Sequence, residues 1–285
     1  MMADRRPPLH MGRPRSFQRA LFLVVALALC LLPVLWTLLA SFGIMPENVS
    51  TNPTLWVLRP TLESYHEIGV QDPRFMLKLL TSVAIAALTT AFTLSISVPA
   101  AFAISRSRFR GKDLLVQCLL VLACLPVVSF IMPLRNFLNA VRLYDTFSGT
   151  LLAETALYAP LAAYVLYGYV NRVSREQEES AQIDGAGIFQ ILLRVVLPAS
   201  APGVTSTAII LFVLSWNQVL VPLILSMPVN TVPVSMIDFF IYERELEWSV
   251  AAAAVAVSFT PIIVFTAASH RFIERFRFGC VGETE

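Results

Sequence analysis

The sequence predicts an all-α membrane protein with six transmembrane helices and both termini on the cytoplasmic side. Three observations lead there. Six apolar stretches each reach the roughly 20 helical residues that a bilayer core requires. Only 14% of the 285 residues are charged, against about a quarter in soluble domains. Fifteen of the 21 lysine and arginine residues fall in alternate connectors, where the positive-inside rule puts the cytoplasm.

The elements follow in chain order. Residues 1–19 form an arginine-rich, proline-containing tail, expected to be cytoplasmic. The first span, 21–42, carries no charge. Its apolar run is too long for the core of a signal peptide, and no small-x-small cleavage site follows, so it reads as an uncleaved anchor. An outer segment with Pro46, Pro53, Pro60 and Pro73 leads to the second span, 79–104. A cytoplasmic loop with Arg106, Arg108, Arg110 and Lys112 precedes the third span, 114–134. The fourth is 146–170, the fifth 204–227 and the sixth 249–269. Between the last two lies an outer segment with Asp238, Glu243, Glu245 and Glu247. Both long outer segments are natural docking surfaces, because connectors of this length are often functional. Residues 20–278 thus form one transmembrane domain, closed by a cytoplasmic tail, 279–285.

Several function classes are excluded. The net charge of +2 is too small for a nucleic-acid binder. The only Gly-Lys pair, Gly111-Lys112, lacks the preceding glycine of a phosphate-cradling loop, since Arg106 stands there. No Ser-x-x-Lys pair or His-Glu-x-x-His helix supports a hydrolase. Cys30, Cys118, Cys124 and Cys280 show neither metal-ligand nor disulfide spacing, and read as small packing residues. No cofactor is expected in this chain.

The most informative stretch is the cytoplasmic connector 174–198. Ser174 and Gln177 have the spacing of a capping box, which predicts a helix start. Glu176, Glu178 and Glu179 follow in its first two turns, where the helix dipole favours acids. Asp184-Gly185 predicts a turn with a left-handed glycine. A second helical run from Ile188 is expected to stop at Pro198, with its apolar residues packed or dipped in the interface. An acidic helix, a glycine turn and an apolar helix make a mechanical coupler. An ordinary connector fits the same residues.

The run Glu179-Ser180-Ala181, Asp184-Gly185-Ala186, Phe189 and Leu197-Pro198 resembles the coupling loop of ABC importer permeases. Ser180 departs from the alanine usual there. The resemblance extends from about Leu21 to Arg277 through Thr61-Leu-Glu-Ser-Tyr65, Pro99-Ala-Ala-Phe-Ala103, Arg106 with Arg108-Phe-Arg-Gly111, and Trp216-Asn217. Thr81-Ser82 replaces the usual Asn-Ser. The pattern is similar to the carbohydrate-uptake branch and its shorter six-span partner. It implies the type I ABC importer permease fold in the inner or plasma membrane. It also implies a homologous second permease, two ATPase subunits that bind ATP and magnesium, and an extracytoplasmic sugar-binding protein. Carried over by position, Glu179, Ser180, Ala181, Asp184, Gly185 and Ala186 are the contacts to the ATPase.

Glu154 is the sole ionisable residue within the six spans. An intramembrane acid is a functional candidate by default. It suits a sugar-hydroxyl acceptor or a gate, or else a structural bond, for instance to Arg142. Asn217 and Gln218 are candidate sugar ligands or interhelical links. Tyr158, Phe212 and Trp216 offer stacking faces for a sugar ring, or simple packing. The rival classes are an ion-driven secondary transporter, which usually shows internal repeats, a membrane enzyme, and the same fold carrying a glycerophosphodiester or peptide.

Overall fold

The computed structural model describes residues 14–46, 56–57, 60–71, 73–226, 229–241 and 248–279. Glu243, Glu245 and Glu247 lie outside them, as does Cys280. The chain divides into two compact units: Met1–Ile68 with Glu247–Ala256, and Gly69–Leu246 with Val257–Glu285.

In the first unit, helix α1 is Pro14–Ser41. At 1.5 Å per residue its 28 residues reach about 42 Å. Phe22, Leu23, Leu29 and Leu32 are exposed around its circumference, as expected of a helix whose solvent is lipid. A pair of two-residue antiparallel strands, β1 (Met45–Pro46) and β2 (Trp56–Val57), follows. It is a small exception to the all-α expectation. The Thr61–Tyr65 segment folds back onto the end of α1. Thr61 N–H donates to the Phe42 carbonyl at 3.0 Å. Tyr65 shares a 2.7 Å hydroxyl bond with Ser41, and its ring lies against Phe42. Helix α2 is Glu63–His66. A π-helical turn, Glu67–Gln71, follows it.

The second unit is built on α3 (Pro73–Arg106), α6 (Phe147–Val170) and α10 (Ala201–Trp216). Helices α3 and α6 run in the same direction, as successive bonds show. Thr89 pairs with Glu154, Ser97 with the Ala159 carbonyl and Ser105 with Asn171. Small and hydroxylated residues at the contacts let the backbones approach. Thr90, Thr205 and Thr207 return their hydroxyls to the carbonyl four residues back, so they present little unsatisfied polarity. Gly203 is essential to this approach: a Cβ there would lie 2.2 Å from the ring of Tyr169.

Two predicted spans are not single helices. The third breaks into α4 (Lys112–Ala123) and α5 (Val128–Ala140), which bend by 94°. Pro126 lies in the break and has no N–H for a continuous ladder; its carbonyl accepts instead from Ser129. The fifth ends at Trp216 and resumes as α11 (Leu220–Leu225). Pro222 explains the interruption: in an unbroken helix it would have to donate to residue 218. Among the described residues four helices are long and apolar enough to span a membrane alone, and up to six if each of two bent pairs, 112–123 with 128–140 and 188–199 with 201–216, is one span. Helix α12 (Val232–Ile241) packs on α3 through the Val232 N–H, which donates to Ser82 Oγ at 2.8 Å. Helix α13 is Trp248–Gly279. Cys30, Cys118 and Cys124 are exposed, which corrects their reading as buried packing residues; the outer face of a membrane helix is itself apolar surroundings.

Candidate functional site

The acidic turn begins at α7, Arg175–Ile183. The Ser174 hydroxyl accepts from the Glu176 N–H at 3.3 Å. The expected cap is therefore present, though bonded to the second helical residue and not the third, where a capping box would place it. At the other end Gly185 takes φ +83°. Its N–H donates to the Gln182 carbonyl at 3.0 Å, and Ala186 N–H donates to that of Ala181 at 2.9 Å. This double closure is a Schellman motif, which satisfies carbonyls that the helix end leaves orphaned. Open space surrounds Gly185, so glycine is required by backbone conformation and not by crowding.

Helix α8 (Ile188–Ile191) opens with the Gly187 N–H held by the Gln190 side chain at 3.0 Å. The helical run does not stop at Pro198, contrary to expectation. It widens into a π turn over Leu192–Val196, continues as α9 (Leu197–Ala199), and bends by 80° into α10. A π turn commonly accommodates a ladder interruption, here the N–H that Pro198 lacks. Ser200 sits at the bend and donates its hydroxyl to the Val196 carbonyl at 2.7 Å.

Glu179, Ser180, Asp184 and Gly185 are exposed, while Ala181 and Ala186 are half-buried. The surface beside them is apolar. Ile183 is 86% exposed and Phe189 73%. The second run is thus divided: Ile191, Leu192 and Val196 are buried, whereas Ile188, Phe189 and Leu193 are not. Soluble monomers seldom leave such side chains clustered in the open, and where they do the patch marks a contact surface.

The sequence places Glu178 among three acids serving the helix dipole. It is instead buried and paired with Arg106 at the end of α3, through Nε at 2.8 and 3.0 Å. Nothing in the sequence signals the pairing. The two residues are 72 positions apart, and no helical period links them.

The intramembrane candidates gather around α6 and α10. Glu154 is fully buried. One carboxylate oxygen accepts from Thr89 Oγ1 at 3.3 Å and from the hydroxyl of Ser215. The other oxygen has no partner among the described residues. Glu154 therefore joins α3, α6 and α10 through hydroxyls. Arg142 is exposed and is not its counter-ion.

Tyr158, one turn on, spans the break in the fifth helix. Its hydroxyl donates to the Leu214 carbonyl at 3.1 Å and accepts from Gln218 Nε2 at 3.1 Å. In a continuous helix the Leu214 carbonyl would receive the Gln218 N–H, but that group turns to Ser215. Gln218 Oε1 in turn accepts from Leu220 N–H at 3.2 Å, at the start of α11. Asn217 is exposed and donates to the Val213 carbonyl at 2.8 Å. Phe212 and Trp216 are buried. The Phe212 ring stacks on Phe265 at 4.0 Å and on Trp216 at 6.0 Å. The structure thus brings Glu154, Tyr158 and Gln218 into one neighbourhood, and turns Phe212 and Trp216 toward packing partners.

Residues 94–278 match the family described as "Binding-protein-dependent transport system inner membrane component". The trehalose transport system permease protein SugB of Mycobacterium tuberculosis (strain CDC 1551 / Oshkosh) is 32% identical over 259 residues, covering 90% of this chain and 93% of that one. The trehalose/maltose transport system permease protein MalG of Thermococcus litoralis is 30% identical over 268 residues, covering 92% and 95%. Among solved structures, one chain of a bacterial ABC transporter involved in the import of the acidic polysaccharide alginate superimposes with a TM-score of 0.75. That match has 18% identity and covers 93% of this chain and 99% of the other.

Proposed function

The chain belongs to the family of binding-protein-dependent transport system inner membrane components, and from that premise we propose that it forms, with a second homologous permease, the pathway of an ATP-driven sugar importer. Each bent helix pair counts as one span, giving six. Both termini lie in the cytoplasm, as the arginine distribution favours. The acidic turn then faces the cytoplasm and docks on one of two ATPase subunits, which bind ATP and magnesium and perform the hydrolysis. An extracytoplasmic sugar-binding protein delivers the cargo to the opposite face.

The observation that carries this reading is the exposed turn from Glu179 to Phe189. Acids, a left-handed glycine and bare apolar side chains converge there. Among relatives of at least 30% identity, two are permeases of trehalose or trehalose/maltose systems and a third is a permease of a sulfoquinovosyl glycerol system. Mechanistically, the chain needs only two packings of similar energy. ATP-driven closure of the ATPase pair shifts their populations, opening the pathway outward, and hydrolysis resets it.

The experiment is reconstitution of the full complex in proteoliposomes with labelled trehalose or maltose and the loaded binding protein. ATP-dependent uptake is expected, and Gly185→Trp is expected to abolish it while releasing or uncoupling the ATPase. Uptake driven by an ion gradient without ATP would overturn the importer reading. Normal uptake by Gly185→Trp would remove the coupling role from the turn. ATP-driven uptake of another solute would replace the cargo alone.

A further inference from the structure

Arg106 stands where three helices meet. It is the last residue of α3. Its guanidinium holds both carboxylate oxygens of Glu178 on α7. A terminal nitrogen also donates to the carbonyls of Val170, at 3.2 Å, and Val173, at 3.1 Å. These carbonyls close the C-terminal end of α6, where a cation complements both the orphaned acceptors and the dipole. The other terminal nitrogen donates to Ser105 Oγ at 3.0 Å, and that hydroxyl reaches Asn171 at 3.2 Å. The side chains of Arg106 and Glu178 are only 15% and 8% exposed. A lysine, with a point charge and no planar fork, cannot hold all of these acceptors at once.

The route from α7 to α10 passes through the left-handed Gly185, the π turn over Leu192–Val196 and the 80° bend at Ser200. Along it Ile191, Leu192 and Val196 pack into one apolar cluster with Ala101 and Phe102 of α3 and Leu166 and Val170 of α6. The link to α3 and α6 is a short, charge-assisted fork in a buried setting, the strongest class of side-chain hydrogen bond.

We propose that Arg106 is the positioning residue that locks the acidic turn to α3 and α6, so that the three move as one body. This rests on the turn being the site where an ATPase docks. Loss of the lock leaves the ATPase bound and hydrolysing but no longer driving the pathway.

The test uses the full complex carrying Arg106→Lys or Glu178→Gln, with Arg110→Ala as an exposed control. The readouts are co-purified ATPase and sugar imported per ATP hydrolysed. Arg106→Lys is expected to retain the ATPase and to lower the transport ratio by about tenfold, a change typical of coupling energies between sites. Arg110→Ala is expected to keep the wild-type ratio. A folded Arg106→Lys complex with a wild-type ratio overturns the proposal. A second measurement places spin labels at Ala103 on α3 and Gln182 on α7, both exposed. Their separation is expected to stay fixed between nucleotide-free and ATP-bound states, and to broaden in Arg106→Lys. A wild-type separation that changes with nucleotide overturns the single-body motion. Failure of the underlying importer reading shows differently, as a wild-type complex with no bound ATPase or no ATP-driven uptake.

Discussion

Two buried glutamates in this chain are held in opposite ways. Glu178, near the end of the bundle, is clasped by a guanidinium that also closes α6. Glu154, at the centre of the α3–α6–α10 packing, meets the hydroxyls of Thr89 and Ser215, and its other oxygen has no partner among the described residues. The sequence suggests the reverse. Glu154 has an arginine nearby in the chain, and Glu178 lies in a solvated acidic run. The contrast shows that a buried acid is assigned by the helix ends that surround it. At a helix terminus orphaned carbonyls recruit a cation. In mid-helix the only donors available are side-chain hydroxyls.

The comparison can be broken by substitution. The largest effect is expected of Glu178→Ala, which leaves a guanidinium buried without its counter-charge. Losing one partner of such a pair costs about 3–5 kcal/mol, to be read as earlier thermal unfolding of the purified complex. Glu154→Leu leaves two hydroxyls without their acceptor. Both lie on helices and can turn to a carbonyl of the preceding turn, so about 1–3 kcal/mol is expected by the same measurement. Glu154→Gln, which keeps an acceptor oxygen, is expected to cost less than Glu154→Leu. If Glu154→Gln proves more damaging than Glu178→Ala, the contrast fails.

Tyr158→Phe sharpens the description of the mid-span region. It removes the donor to the Leu214 carbonyl and the acceptor for Gln218, at a cost of about 1–2 kcal/mol. Faster hydrogen exchange at Leu220, the first residue beyond the break, would show that the tyrosine braces the interruption. The smallest effect is expected of Gly185→Ala. Nothing would touch the added methyl, so only the left-handed backbone conformation resists it, by about 1 kcal/mol.

Much of the architecture was legible because bilayer physics is one-dimensional. Length and charge along the chain place apolar helices, and the helices over 73–106, 147–170 and 248–279 contain the second, fourth and sixth predicted spans almost entirely. The acidic turn was legible for a local reason: Ser174, Asp184 and Gly185 act on backbone groups within a few residues of themselves. The helix breaks at Pro126 and before Pro222 were signalled by the prolines, but a hydropathy window averages across them. The Arg106–Glu178 and Glu154–Ser215 bonds had no local signal. Their partners meet only after α3, α6, α7 and α10 are packed. The aromatic residues Phe212 and Trp216 satisfied a stacking pattern in sequence, and in the structure they stack on each other, with Phe212 also on Phe265.

The widened turn at Leu192–Val196 has one more consequence. It houses about one extra amino acid in a single revolution. Roughly five residues of a π turn sweep the angle that roughly four residues of an α-helix sweep at about 100° each. The surplus is absorbed where it stands, so Ile191 and Leu192 keep to the buried side in spite of it. Excising one position there is expected to close the turn into ordinary α geometry, and to do less harm than the same deletion in a regular stretch, where everything upstream would swing by about 100°.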